Sequence, residues 1–329
     1  MKDTLRNIRI QRWVAILSVV LLLIKMGAYL LTNSVAILTD ALEGIVNVVA
    51  GSVGLYSLVL SAKPRDADHP YGHGKIEFLS AAFEGSLIAL AAVLIFYKSI
   101  SNLVTPQAIQ QIDWGILLIS ITGIVNYGVG AICIRSGQRS RSIALVASGK
   151  HLQSDTYSTL GILVGLALIY FTGVVWLDSV VAMAVSVMIL YSSYNIIRPS
   201  VAGIMDETDK ELLTTMVDLL NKNRRENWID LHNLRIIKYG SILHLDCHLT
   251  VPWYLNVHEA HDEIDILAKL VRREFGESLE LFVHSDGCMD FSCRICAKQH
   301  CPVRKHELER RVIWKVANIS QNKKHDIDS

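Results

Sequence analysis

The sequence predicts a membrane α-helical bundle of six transmembrane helices, followed by a small α+β domain of order αββαβ. Three observations carry this expectation. Long apolar runs fill the first 200 residues and are nearly missing afterwards, so a chain of 329 residues that is 51% hydrophobic splits into a membrane part and a soluble part. Two of the apolar runs contain polar pairs at helical spacing, Glu43/Asn47 and His151/Asp155. Beyond residue 207, short amphipathic stretches alternate in the manner of an ordinary soluble fold. Three segments follow: a helical membrane domain over 1–206, a small soluble domain over 207–287, and a Cys-rich extension with a polar tail over 288–329.

The spans are expected at about 13–31, 34–60, 78–100, 114–134, 143–171 and 177–197, each reaching the roughly 20 residues that cross a hydrocarbon core. The run after the basic N-terminus is too long for a signal peptide and has no cleavage motif. Lys2, Arg6, Arg9 and Arg12 precede the first span, Lys63, Arg65 and Lys75 follow the second, and Arg135, Arg139, Arg141 and Lys150 follow the fourth. The opposite connections, Thr32-Asn33, 102–113 and 172–176, hold no Lys or Arg. The positive-inside rule then puts both termini in the cytoplasm of a multi-pass protein of the cell inner membrane. A net charge of +1 gives no reason to expect a nucleic-acid partner.

Depth relates the two polar pairs. At about 1.5 Å per residue, Glu43/Asn47 lies roughly 16 Å from the outer end of its span and His151/Asp155 roughly 15 Å from the inner end of its own. Both fall near the midplane of a core about 30 Å thick, where antiparallel helices bring them together as a four-ligand cation site. Ionisable groups at that depth are costly and ordinarily functional; the other reading is that each pair satisfies backbone or water. Lys25 and Asp40 lie at matching depth and read as an ion pair more readily than as transport residues. Glu84 has no evident partner.

The next loop packs Asp66, Asp68, His69 and His73 into eight residues, and its Pro and Gly argue against a regular helix. It reads equally as a chelating loop and as a solvated polar one. In the soluble part the expected elements are a helix over Asp209–Lys222, strands over Ile229–Lys238 and Ile242–Val251, a helix over Val257–Phe275 and a strand over Ser278–His284. His244, Asp246 and His248 alternate onto one strand face, while each lone His in this region also reads as a plain surface or core residue.

The acidic span-two pattern, HPYGHGKIE, HLQSD and a short soluble C-terminal domain together resemble the cation diffusion facilitators over residues 10 to about 287. That resemblance implies a homodimer that exports a divalent metal, mostly zinc, against protons, and a ferredoxin-like soluble domain. It implies transport ligands at Glu43, Asn47, His151 and Asp155 and a loop site at Asp66, His69 and His73. It also implies a Lys75–Asp206 pair near the dimer interface, and regulatory ligands at His232, His248, His261, His284 and Asp286. In span two many members have His or Asp four residues before Asp, where this chain has Glu before Asn. Asn offers one neutral carbonyl oxygen, so zinc is favoured by family frequency, while oxygen-rich ligation also suits manganese or iron(II), and cobalt or cadmium stay open.

Cys288, Cys293, Cys296 and Cys301 follow as C-x4-C-x2-C-x4-C. Four thiolates suit a closed zinc site, the favoured reading; an iron–sulfur cluster, without a standard spacing, and free thiols are the others. From Arg304 the charged sequence reads as a frayed helix or a disordered tail. The chain lacks an HExxH-type catalytic motif, so a membrane metalloenzyme is disfavoured. A membrane-bound metal or redox sensor acting through the cysteines is the alternative to a transporter.

Overall fold

The computed structural model describes residues 2–32, 35–104, 113–172, 176–240, 242–276 and 279–327. Contacts divide the chain into two compact units, 1–205 and 206–329. The 288–329 segment falls inside the second unit rather than standing as a third.

Among the described residues, the first unit contains six helices: α1 (Lys2–Thr32), α2 (Val35–Ser61), α3 (Ile76–Val104), α4 (Asp113–Ser140), α5 (Ile143–Thr172) and α6 (Trp176–Ile204). Among the described residues, Leu5–Gly27, Gly44–Ser61 and Ile76–Ser101 are long and apolar enough to cross a membrane. The outer faces present large apolar side chains such as Leu23, Tyr97 and Ile124, as a bundle facing lipid does. Within the bundle α1 packs on α2 and α4, α3 on α6, and α5 on α4 and α6. The α4–α5 contact is close because it is made through glycine. A Cβ on Gly149 would sit 2.8 Å from the Gly130 carbonyl, and a Cβ on Gly130 would sit 2.8 Å from that of Gly149. Small residues let helix backbones approach where no water is squeezed out to drive association.

The second unit contains α7 (Lys210–Lys222), β1 (Asp230–Tyr239), β2 (Ile242–Val251), α8 (Val257–Phe275) and β3 (Glu280–Gly287). Asp209 caps α7 by accepting from the Leu212 amide, and Asn256 and Glu259 close a reciprocal capping box on α8. The sheet order is β1-β2-β3, antiparallel then parallel. Leu213, Met216, Val217 and Leu220 of α7 and Leu267, Val271 and Phe275 of α8 bury their apolar stripes in the domain core. β3 begins two residues later and ends three residues later than the sequence pattern placed it. Parallel pairing with β2 continues to Val251 opposite Gly287 and draws Asp286 into the strand.

The tail is neither frayed nor disordered over its described residues, which corrects the expectation from composition. Trp314 and Ile319 are fully buried in the domain core. Asn221 donates to the Trp314 carbonyl at 2.7 Å and accepts from its amide at 3.2 Å, while the Arg224 guanidinium stacks 4.0 Å over the indole. The short apolar run VIWKVANI in an otherwise charged tail is a weak signal in sequence; against a preformed core its buried side chains suffice to anchor the segment.

Candidate metal centres

In the bundle, α2 and α5 bring three of the four expected transport ligands together. His151 and Asn47 are buried, and Asp155 is partly so. His151 Nε2 lies 2.7 Å from Asn47 Oδ1, Asn47 Nδ2 donates to Asp155 Oδ2, and His151 Nε2 is 3.9 Å from Asp155 Oδ1. The Asn47 amide must turn its NH2 toward the carboxylate, so its oxygen faces the imidazole, and Nε2 carries the proton between them. His151 Nδ1 has no hydrogen-bond partner among the described residues. The three side chains line a pocket with Ser154, Ser158 and the apolar Leu87, Ile88 and Ala91 of α3. Low-dielectric walls strengthen the attraction of such a carboxylate for any cation that enters. Glu43 stands one turn earlier on α2, but its side chain, like that of Asp40, lies outside the described residues. Lys25 is buried and engaged.

Two buried carboxylates went unassigned by sequence reasoning. Glu84 is fully buried and accepts from the Ser148 hydroxyl at 2.9 and 3.1 Å; Gln11 in turn donates to Ser148 at 3.0 Å. Gly54 makes room for this group, since a Cβ there would fall 2.7 Å from both Gln11 Nε2 and Glu84 Oε1. Glu77 accepts from Ser142 at 2.5 Å and from Ser61 at 3.0 Å. Glu84 finds its hydroxyl partner on α5, and Glu77 finds one at Ser142, just before α5, pairings between distant segments that sequence spacing does not display.

In the loop after α2, Asp66, His69 and His73 offer donor atoms all within 4.8 Å of one another. His69 Nδ1 is 3.0 Å from Asp66 Oδ1 and His73 Nε2 is 3.3 Å from Asp66 Oδ2. The hydrogen bond from the His69 side chain holds the exposed Asp66 carboxyl below the usual carboxylate range. Gly72, at φ +89°, supplies the turn that swings His73 back over Asp66.

On the sheet, His232, His248 and Asp286 form a second such group. Register is the cause: His232 pairs with His248 across β1–β2, and His248 with His284 across β2–β3. Asp286 Oδ2 is 3.4 Å from His248 Nδ1 and 3.6 Å from His232 Nε2, and Oδ1 is 3.6 Å from His284 Nε2. Burial, then the neighbouring His232, lowers His248 below its ordinary value against the pull of Asp286. His261, on the exposed face of α8, is instead 3.8 Å from Asp265. Lys75 belongs to the first unit and Asp206 to the second.

The structure adds partners to this cluster that sequence reasoning did not name. Buried Asp230 holds His232 Nδ1 at 3.3 Å and His325 Nδ1 at 2.5 Å, and Lys324 reaches Asp286 at 3.4 Å. Burial alone would raise the Asp230 carboxyl, but hydrogen bonds from His232 and His325 bring it well below the usual range. A carboxylate behind an imidazole fixes its tautomer and raises its basicity toward a metal. Asp230 and His232 sit on one strand face, so the period of two was a usable signal for Asp230; nothing in the NKKHDIDS run pointed to His325.

Cys288, Cys293, Cys296 and Cys301, all free of disulfides, line one cavity below the end of β2. Burial raises the Cys288 thiol.

The family model for the cation efflux transmembrane domain matches residues 12–205, and that for the cation efflux protein cytoplasmic domain matches residues 209–288. An uncharacterized transporter of Synechocystis is 34% identical over 239 residues, covering 73% of this chain and 77% of the other. The cation-efflux pump FieF of Citrobacter koseri is 27% identical, covering 83% of this chain and 90% of that one. The manganese efflux system protein MneP of Bacillus subtilis is 25% identical, covering 84% and 96%. With matched domains over both the helical bundle and the small three-stranded unit, the chain belongs to the cation efflux, or cation diffusion facilitator, family of membrane transporters.

Proposed function

We propose that the protein is a homodimeric exporter of the inner membrane, with both termini cytoplasmic, moving a divalent cation outward in exchange for protons. The observation that carries this reading is the convergence of Asn47, His151 and Asp155 on one largely apolar pocket between long helices. A cation entering that pocket replaces the hydrogen bonds now linking the three side chains. Its ligands are the Asp155 carboxylate, the Asn47 carbonyl oxygen and an imidazole nitrogen of His151, with Glu43 from the next turn of α2 as the fourth. A proton arriving from the outer side competes for the same lone pairs and releases the ion. No covalent chemistry is needed; rocking of helix groups about the midplane site supplies alternating access.

Zinc is the proposed cargo, since an imidazole with carboxylates is a standard zinc donor set. Manganese or iron(II) is the second reading, favoured by the neutral amide oxygen at Asn47, which makes the site rich in hard oxygen donors. The loop trio Asp66, His69 and His73 is proposed as an accessory cation site, and His232, His248, His284 and Asp286 as a regulatory one, with His261 contributing in the dimer. Lys75 and Asp206 are proposed as a charge pair close to the dimer interface.

Flux into proteoliposomes under an imposed pH gradient, measured for zinc, manganese, iron(II), cobalt and cadmium, tests the reading and names the cargo. His151→Ala and Asp155→Ala should each abolish flux in a protein that remains a folded dimer. Wild-type flux in either variant removes the site from the transport path.

A further inference from the structure

A single zinc ion, an iron–sulfur cluster and free thiols are the three states open to the cysteine run, and they differ in the space and charge they need. Cys288, Cys293, Cys296 and Cys301 all line one cavity, and none is in a disulfide. Its volume is about 10 Å³, close to that of one water-sized sphere. One ion fits such a space, whereas a cubane of several irons and sulfides does not. Burial raises the Cys288 thiol, and Cys296, Cys293 and Cys301 raise it further. The four thiols are thus near enough to repel one another as thiolates, and a cation among them relieves that repulsion. Two positive charges on four thiolates leave two negative charges over, and the lining supplies two cations, Lys298 and Arg304.

The frame around the thiols is fixed by contacts that do not involve sulfur. The Cys288 amide donates to the Val251 carbonyl at 2.9 Å, which ties that cysteine to the end of β2. Residues Asp290–Ile295 wind into a 3-10 turn whose Ile295 is fully buried, and the Cys296 amide donates back to the Cys293 carbonyl at 3.3 Å. The Arg304 guanidinium binds three carbonyls: Cys293 at 3.2 Å, Cys296 at 3.1 Å and Lys298 at 2.6 Å. Lys298 in turn donates to Asn227 Oδ1 at 2.7 Å.

We propose that this cavity is a closed structural site for one zinc ion, held by the thiolates of Cys288, Cys293, Cys296 and Cys301. Four protein ligands leave no open position, so the ion neither exchanges with cargo nor takes part in chemistry. Sulfur donors select zinc over the harder manganese. The site fastens the tail to the sheet. Cys288 directly follows β3, and the turn that carries Cys293 also receives the returning chain. There the Glu309 and Arg310 amides donate to the Arg294 carbonyl at 2.8 and 3.2 Å, and the Arg294 side chain pairs with Glu309 at 3.4 Å. Beyond that junction lie Trp314 and His325, so the ion secures the segment that completes the core and holds Asp230.

The test uses full-length protein treated with a mild chelator and desalted. It should retain about one zinc per chain, and X-ray absorption at the zinc edge should show about four sulfur neighbours at about 2.3 Å. Zinc at the bundle, loop or sheet sites would have nitrogen and oxygen neighbours, so the sulfur shell is read independently of any transport assay. The Cys293→Ser/Cys296→Ser double variant should lose that shell, while Cys133→Ala, at a buried cysteine of the bundle, should keep it. A zinc shell of nitrogen and oxygen alone, iron with acid-labile sulfide, or four thiols that titrate freely in metal-free protein each overturns the proposal. So does a sulfur shell that survives the double variant. The wild-type absorption measurement decides the matter even if the double variant fails to fold.

Discussion

Replacing Asn47 by Asp tests the logic of the bundle site most directly. At present Asn47 links the site, accepting from His151 and donating to Asp155. Asn47→Asp deletes the donor to Asp155, a charge-assisted hydrogen bond worth about 1.5–3 kcal/mol. It also sets a second carboxylate against the first. Two unit charges about 4 Å apart at an effective dielectric of about 20 repel by about 4 kcal/mol, roughly a thousandfold in any equilibrium that removes the repulsion. A cation seated between the carboxylates removes it, and so does a proton. In mildly alkaline buffer the variant should therefore bind manganese and zinc at least tenfold more tightly than wild type, a figure discounted from the full repulsion for solvent reaching the partly buried Asp155. In mildly acidic buffer the gain should shrink, because protons compete. Isothermal titration of the purified protein in buffers of different ionisation enthalpy measures both affinity and proton release, and ions held elsewhere cancel in the comparison. Tighter binding should slow release, so turnover should fall even as affinity rises. Equal affinity and equal proton release in the two proteins would show that Asn47 and Asp155 do not share an ion.

Trp314→Ala should destabilise the soluble unit by about 3–5 kcal/mol, the usual cost of truncating a buried indole, read as a lower melting temperature; an unchanged melt would mean the tail adds nothing to the core. Gly54→Ala drives a methyl group into the Gln11–Ser148–Glu84 group and should cost about 1–3 kcal/mol by overpacking, measured by thermal unfolding in detergent. Because the folded Asp230 carboxyl titrates below its unfolded value, its stabilisation is complete above about pH 4 and fades as pH falls further. Asp230→Asn should therefore lower the melting temperature at neutral pH, with the gap to wild type closing in acid; a constant gap would sever Asp230 from its histidine partners. Charge reversal at Lys75 should impair flux and a Lys75/Asp206 swap should restore part of it, whereas additive defects would show that the two never meet.

The helices were legible because their signals are local and repeated: unbroken apolar runs for the bundle, and a cap plus a 3.6-residue stripe for α7 and α8. The bundle and sheet sites were legible in part because regular spacing does half the work. Asn47 lines up with Glu43 along a helix, and His232 and His248 reach each other through a strand register that two clear runs and a turn define. What stayed hidden depends on contacts between segments remote in sequence. Ser148 satisfies Glu84 from two helices away, and His325 meets Asp230 from 95 residues on. A short apolar run ending a charged tail, VIWKVANI, reads as noise until the α7 surface it covers exists. The cavity among the cysteines belongs to the same class, since their count and spacing leave their separation open.

The burial of Trp314 and Ile319 bears on how the protein is made. The bundle segments leave the ribosome first and can enter the bilayer while the soluble part is still being synthesised. The soluble unit cannot close its core at that stage, because two of its fully buried side chains and the partner of Asp230 have yet to be translated. A nascent chain thus exposes an unfinished apolar surface on α7 until residue 319 emerges. A chain released early keeps that surface, which marks a truncated transporter for proteolysis although its membrane part is complete.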